Sequence, residues 1–206
     1  MGLDSYLRKV KRVGNVTPED IERLDDYFSW VVRSEQYRDC SLEKWSGTKI
    51  EDVNLDLVKD YITEYIHRYA TWDKKKEYGF YTLFQEIAYW RKANHIHRWF
   101  VENVQDGIDE CDIYEVTKEQ LEELLDICIR VRDASKLEHN PDGCERLIKD
   151  PKIAMELLPT QSGFFFGGTG YDEYYLEDIR YTIKQLRKIL KATDFEKEIV
   201  MYRASW

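Results

Sequence analysis

The sequence is poor in residues that divide a chain. Only four Pro and ten Gly occur in 206 residues, and no Ser/Gly run sets one stretch apart from another. No linker is therefore predicted, and the length fits one compact domain over residues 1–206. Uncharged apolar runs stay under ten residues, too short to span a bilayer. The opening Met1-Gly2-Leu3-Asp4 lacks a basic stretch followed by an apolar one, so no secretory leader is expected. Tyr6 stands where a myristoylated chain favours Ser or Thr. Cysteine is scarce too: Cys40, Cys111, Cys128 and Cys144 contain no CxxC pair, which argues against a ribbon-type zinc site. GxSxG, HExxH and EF-hand patterns are all missing, which excludes several familiar enzyme and calcium-binding classes.

What is present is an acidic chain rich in aromatic side chains. Its 40 Asp and Glu face 31 Lys and Arg, a formal net charge of -9, and aromatic residues make up 14%. The negative balance argues against tight non-specific nucleic-acid binding, whose main source is phosphate neutralisation. The aromatics supply area for a core, for a ligand surface, or for a homo-oligomer of unspecified symmetry.

Hydrophobic periodicity predicts an α+β fold, with about five helices packed on a small sheet of about four or five short strands. Leu3, Ser5 and Leu7 alternate with Asp4, Tyr6 and Arg8, as in a strand. Thr17-Pro18-Glu19-Asp20 is a helix start: a capping hydroxyl, a proline at the first helical position, and acids at the positive end of the dipole. That helix should run to about Arg38. After an irregular stretch anchored by Trp45, a second helix is expected from Asn54 to about Ala70, and Lys74-Lys75-Lys76 reads as a solvated turn. Phe80 to Tyr89 reads as a strand from its aromatic content, although Leu83, Ile87 and Trp90 also fit helical spacing. A helix is expected over Ala93 to Gln105, then a short strand over Ile113 to Val116. Thr117-Lys118-Glu119-Gln120 is a capping box opening the next helix. His139 to Asp142 reads as a loop, and Arg146 to Leu158 as one or two short helices broken by Pro151. Phe164-Phe165-Phe166, bracketed by glycines, reads as a buried strand. Leu176, Ile179, Ile183, Leu186, Ile189 and Leu190 form the most regular amphipathic stripe, and Ile199 to Arg203 a closing strand.

Two segments carry candidate chemistry. The first holds Tyr89, Trp90, Arg91, Lys92, Asn94 and His95. At a strand-to-helix break, backbone N–H groups and the helix dipole favour an anion. Arg91 and Lys92 add charge, and Tyr89 or Trp90 can stack on a base. These residues predict a site for a nucleotide-like small molecule. His95 and His97 are two apart, so on a helix they point about 200° apart and do not grip one metal ion. The second segment runs from Ser162 to Asp172, where Gly167, Gly168 and Gly170 permit close backbone approach to a ligand. It lacks the lysine of a P-loop, and a tight structural turn is the preferred account of its glycines. Asp172, Glu173, Glu177 and Asp178 follow; helix capping is the preferred reading over Mg²⁺ binding with a phosphate ligand. No motif calls for a resident cofactor.

Met1-Gly2-Leu3-Asp4-Ser5-Tyr6-Leu7, the segment Glu86 to Phe100, Leu158-Pro159-Thr160 through Phe166-Gly167, and Ser205-Trp206 resemble a family of small proteins from bacteriophages and prophage-bearing bacteria. The resemblance implies a phage accessory protein made in the host bacterial cytoplasm, in a setting similar to that of proteins that counter host defences. It carries over no catalytic residue. Three functional expectations follow. One is a non-enzymatic protein that binds a host component or host protein, or a nucleotide-like ligand. Another is an enzyme acting on a nucleotide or phosphorylated metabolite, with His95 as acid or base and Asp172 or Glu173 as metal ligands. The third is charge mimicry of nucleic acid by Glu19, Asp20, Glu22, Asp25 and Asp26, against which stands an ordinary solvated helix face.

Overall fold

A computed structural model describes residues 2–37, 54, 57–61, 83–140, 143 and 146–206. The fold is α+β. Its strands are β1 (Asp4–Lys11), β2 (Gln85–Arg91), β3 (Tyr114–Glu115), β4 (Leu137–His139), β5 (Arg146–Ile148) and β6 (Glu198–Ser205). The named helices are α1 (Pro18–Tyr37), α2 (Asn94–Asn103), α3 (Lys118–Ala134), α4 (Lys152–Leu157) and α5 (Glu173–Ala192), and residues 57–61 are helical as well. One sheet has the order β2-β1-β6-β3; β4 and β5 form a separate antiparallel pair. Among the described residues no helix is long and apolar enough to cross a membrane.

The chain divides into two compact units, 1–8 with 86–206, and 9–85, the boundary falling inside β1. In the first unit the sheet and the helices form two layers. Leu7 of β1 and Leu3 just before it, Ala88 and Trp90 of β2, and Val200, Tyr202 and Ala204 of β6 point to one side of the sheet, as a period of two requires. They meet Ile96, Trp99 and Phe100 of α2, Leu121, Leu124, Cys128 and Val131 of α3, and Leu176, Ile179, Ile183, Leu186 and Ile189 of α5. The stripes on α3 and α5 are those expected from periodicity, and the two helices pack along each other. In the second unit Val10, Val16, Ile21, Leu24, Tyr61, Leu83 and Phe84 are buried, and the Tyr61 hydroxyl donates to the Lys11 carbonyl at 2.7 Å.

The caps form as their sequences require. Thr17 Oγ1 accepts from Asp20 N while Asp20 Oδ2 accepts from Thr17 N. Thr117 and Gln120 make the same reciprocal pair at the start of α3.

Four expectations need correction. Phe164 to Phe166 is a turn, not a buried strand: Phe166 N donates to Gly163 O at 3.2 Å, and Phe164 is 95% exposed. Gly163 makes this possible, since a Cβ there would lie 2.6 Å from the Phe166 ring. The strand placed over Phe80 to Tyr89 occupies Gln85–Arg91 in its described part, ending at Lys92, which has φ +61°. Arg146 to Ile148 is a strand paired with β4, and helix begins only after Pro151. His139 lies in β4 rather than in a loop. The stretch anchored by Trp45, most of the helix expected from Asn54 and the Lys74-Lys75-Lys76 turn lie outside the described residues.

Candidate functional site

The two segments singled out above, separated by about seventy residues in sequence, meet in the first unit. Asn94 joins them. It opens α2, is 1% exposed, and uses its amide to bracket the glycine-rich loop. Its Nδ2 donates to Phe166 O at 3.0 Å and to Gly168 O at 2.8 Å, and its Oδ1 accepts from Gln161 N at 2.9 Å. Buried polar groups demand such partners, so Asn94 holds both sides of the loop at a set spacing. Thr160 Oγ1 donates to Thr169 O at 3.1 Å and tightens the loop from within.

This bracket presses Gly167 against Lys92. Gly167 has φ +87°, and a Cβ added to it would lie 3.0 Å from Lys92 Cβ and 3.4 Å from Lys92 O. Lys92 also runs beside Gly2, whose added Cβ would lie 3.4 Å from Lys92 Cε. Its backbone is fixed on the strand side, where Lys92 N donates to Leu3 O at 2.7 Å. Glycine is needed at 167 for both reasons: the left-handed φ and the close approach.

Lys92 brings a positive charge to this junction beside open backbone donors, while the Asp172 carboxylate borders the loop at Gly170, where an added Cβ would lie 3.2 Å from its Oδ2. Arg91 and Lys92 are exposed and form no ion pair among the described residues. The N–H groups of Gly167, Gly168, Thr169 and Gly170 meet no acceptor among the described residues. Runs of unbonded N–H groups are the backbone chemistry of anion-binding concavities.

Not every predicted site residue reaches this surface. Trp90 is 2% exposed, its Nε1 donates to Thr182 Oγ1 at 2.9 Å, and its ring packs on Phe100 and Tyr181. It is a core side chain and offers no open face for stacking, because strand alternation turns it inward beside Ala88. Tyr89 points to the opposite side. Its ring lies 5.2 Å from that of Tyr6 and its hydroxyl donates to Asp4. The bond to the Asp4 carboxylate, helped by partial burial, pushes the Tyr89 hydroxyl up to about 12. Arg8 lies over the Tyr6 ring at 4.7 Å, so this tyrosine pair is already engaged.

His95 is 3% exposed and faces Tyr175, ring centroids 4.3 Å apart. Burial alone pushes its imidazole down to about 3, and its Nε2 has no hydrogen-bond partner among the described residues. Closed off in this way, it is out of reach as a general base for a substrate arriving from solvent. Asp172 caps α5 by accepting from Tyr175 N, and Glu173 Oε2 accepts from both Nε and Nη2 of Arg146, at 3.0 and 2.7 Å. Both carboxylates are therefore engaged within the protein.

No family model, curated protein or solved structure matches this chain.

Sequence reasoning missed one polar constellation. His97 faces away from His95, as two-residue spacing on a helix requires, and is fully buried. Its Nδ1 lies 2.8 Å from the Tyr202 hydroxyl and its Nε2 3.0 Å from Asp109 Oδ2; the Tyr202 hydroxyl lies 3.2 Å from Ser5 Oγ. A carboxylate only accepts, so Nε2 carries the hydrogen toward Asp109. The Tyr202 hydroxyl bridges His97 Nδ1 and Ser5 Oγ, donating to Ser5. Asp109 also accepts from Trp206 Nε1 at 3.1 Å. The order Ser, Tyr, His, Asp resembles a nucleophile with its bases, yet Ser5 and Tyr202 are buried and no substrate atom can approach them. The chain ties α2 to β6 and β1. No local signal announces it, since its members come together over 105 and 197 residues of sequence.

Proposed function

We propose that the protein is a non-enzymatic binding protein that takes a phosphate-bearing, nucleotide-like ligand at the junction of Lys92 and Gly167. In the phage-type setting implied by the sequence, that ligand is a host component whose capture serves the phage, as in a counter to host defence. The observation that carries the reading is the Asn94 bracket, which sets the glycine-rich loop against Lys92. It joins Lys92, which forms no ion pair among the described residues, to a run of backbone donors that meet no acceptor among them, with Arg91 next to Lys92 in sequence. Charge-assisted hydrogen bonds contribute about 1.5–3 kcal/mol each. Micromolar affinity requires about 8 kcal/mol, so a few such bonds to one phosphate come close to it before ordering costs. The local positive charge stands out against the net charge of -9, which disfavours long polyanions and leaves room for a small one.

The test is calorimetric titration of a panel of nucleoside phosphates into the wild-type protein and into the double variant Arg91→Ala, Lys92→Ala. The double variant should bind about 10- to 100-fold more weakly, as loss of one to two charge-assisted contacts implies. Its thermal unfolding should match wild type, because both side chains are exposed. Unchanged affinity in the double variant, or no binding by wild type at millimolar ligand, overturns the assignment.

A further inference from the structure

We infer that the ligand is a mononucleotide whose base stacks on Phe164, so that the site selects a nucleoside phosphate over inorganic phosphate or a bare sugar phosphate. This rests on the phosphate reading above and adds the half of the ligand that the phosphate contacts leave unspecified.

Phe164 is 95% exposed, the most solvated of the large apolar side chains described. It stands on a turn that is held from three sides. Phe166 N donates to Gly163 O, Phe165 O accepts from Leu3 N at 3.1 Å, and Phe166 O accepts from Asn94 Nδ2. Phe166 itself is anchored edge-on against His97, centroids 5.3 Å apart, and against Trp206. Phe165 meets Phe164 edge to face at 4.7 Å and 88°, which braces the Phe164 ring and leaves it open to solvent. The ring is thus presented by a rigid support, which limits the ordering cost of stacking on it.

Its surroundings select the class of partner. Ser162, Gly163, Gly167 and Gly168 beside it in sequence are exposed and have little or no apolar surface. A protein interface centres its hot spots in a packed apolar patch with area to spare, whereas here only Phe165, half-buried, lies against the exposed ring, and Trp206 meets Phe166 rather than Phe164. An anionic bilayer is disfavoured by the net charge of -9. A planar base needs only one ring, with cations and N–H donors nearby for the phosphate. Phe164 precedes Gly167 by three residues, so the two are at most about 11 Å apart along the backbone. That is within the reach of a mononucleotide from base to phosphate.

The experiment compares adenosine 5′-monophosphate, ribose 5-phosphate and inorganic phosphate by calorimetry against wild type, Phe164→Ala and Phe164→Tyr. Wild type should prefer the nucleotide over ribose 5-phosphate by about 5- to 100-fold, the range for one stacked base. Phe164→Ala should abolish that preference while keeping the ribose 5-phosphate affinity, and Phe164→Tyr should restore it. Equal wild-type affinity for nucleotide and ribose 5-phosphate, with both bound, overturns the stacking role and leaves the phosphate reading standing. Absence of binding by all three removes the phosphate reading, and this inference with it. A concentration-dependent dimer in light scattering that Phe164→Ala dissolves assigns the ring to a second copy of the chain and likewise overturns the inference.

Discussion

Phe100 and Tyr202 stack with centroids 4.0 Å apart and planes 11° apart, and from that apolar stack the Tyr202 hydroxyl reaches the imidazole of His97. The ring and the hydroxyl therefore do separable work. Tyr202→Phe keeps the stack and strands His97 Nδ1 and Ser5 Oγ in the interior. It should cost about 1–3 kcal/mol, the penalty for unsatisfied buried polar groups. Phe100→Ala empties the stack and should cost about 3–5 kcal/mol. Urea denaturation of the two variants measures both, and a larger loss for Tyr202→Phe would reverse the assignment.

His95 and Asp178 give stability an opposed pH dependence. Burial holds His95 down from 6.5 to about 3, so the unfolded chain binds its proton first. Its contribution is present above about 6.5 and is lost as pH falls toward 3. Asp178 is pushed up from 3.8 to about 7 by burial, then by Glu177 and Asp172. The folded state holds that proton longer, so stability is lost as pH rises from 3.8 to about 7. Each slope reaches at most about 1.4 kcal/mol per pH unit. Asp178→Asn should therefore stabilise the protein by on the order of 2 kcal/mol at pH 7.5 and hardly at all near pH 3.5. Chemical denaturation at both pH values decides it; a gain larger in acid refutes the assignment.

Gly167 should tolerate no side chain. Gly167→Ala combines a left-handed φ with a methyl 3.0 Å from Lys92 Cβ, and should cost about 1–3 kcal/mol and displace Lys92. Gly168→Ala is the control, since a Cβ there meets nothing within 4 Å, and its effect should stay within about 0.5 kcal/mol. Thermal unfolding of the pair is the measurement; equal shifts would show that the Lys92 contact carries no strain.

Local rules explain what was legible in the sequence. The Thr17 and Thr117 caps, the Leu176 to Ile189 stripe and the Leu3, Ser5, Leu7 alternation each follow from interactions within a few residues of chain. The Phe164 run misled because three apolar residues in sequence suit a buried strand, while the flanking Gly163 and Gly167 decided for a turn. In the candidate site, the two segments chosen by residue type do meet in the fold, but the direction of each side chain was set by tertiary packing. Trp90 and His95 turned inward, Arg91 and Lys92 outward, and Asn94 proved to be the joint between them. The His97 constellation left no local trace, because each partner sits on a different element.

The Tyr202–Ser5 contact spans 197 residues, and β1 finds its neighbour β6 only across that distance. Closing so long a loop is entropically expensive and is repaid late, which places this sheet among the slow, non-local topologies. A ribosome adding about 5–20 residues per second leaves β1 without β6 for about 10–40 s. During that interval β1 can pair only with β2, made near residue 90, and one of its two edges stays open until β6 follows.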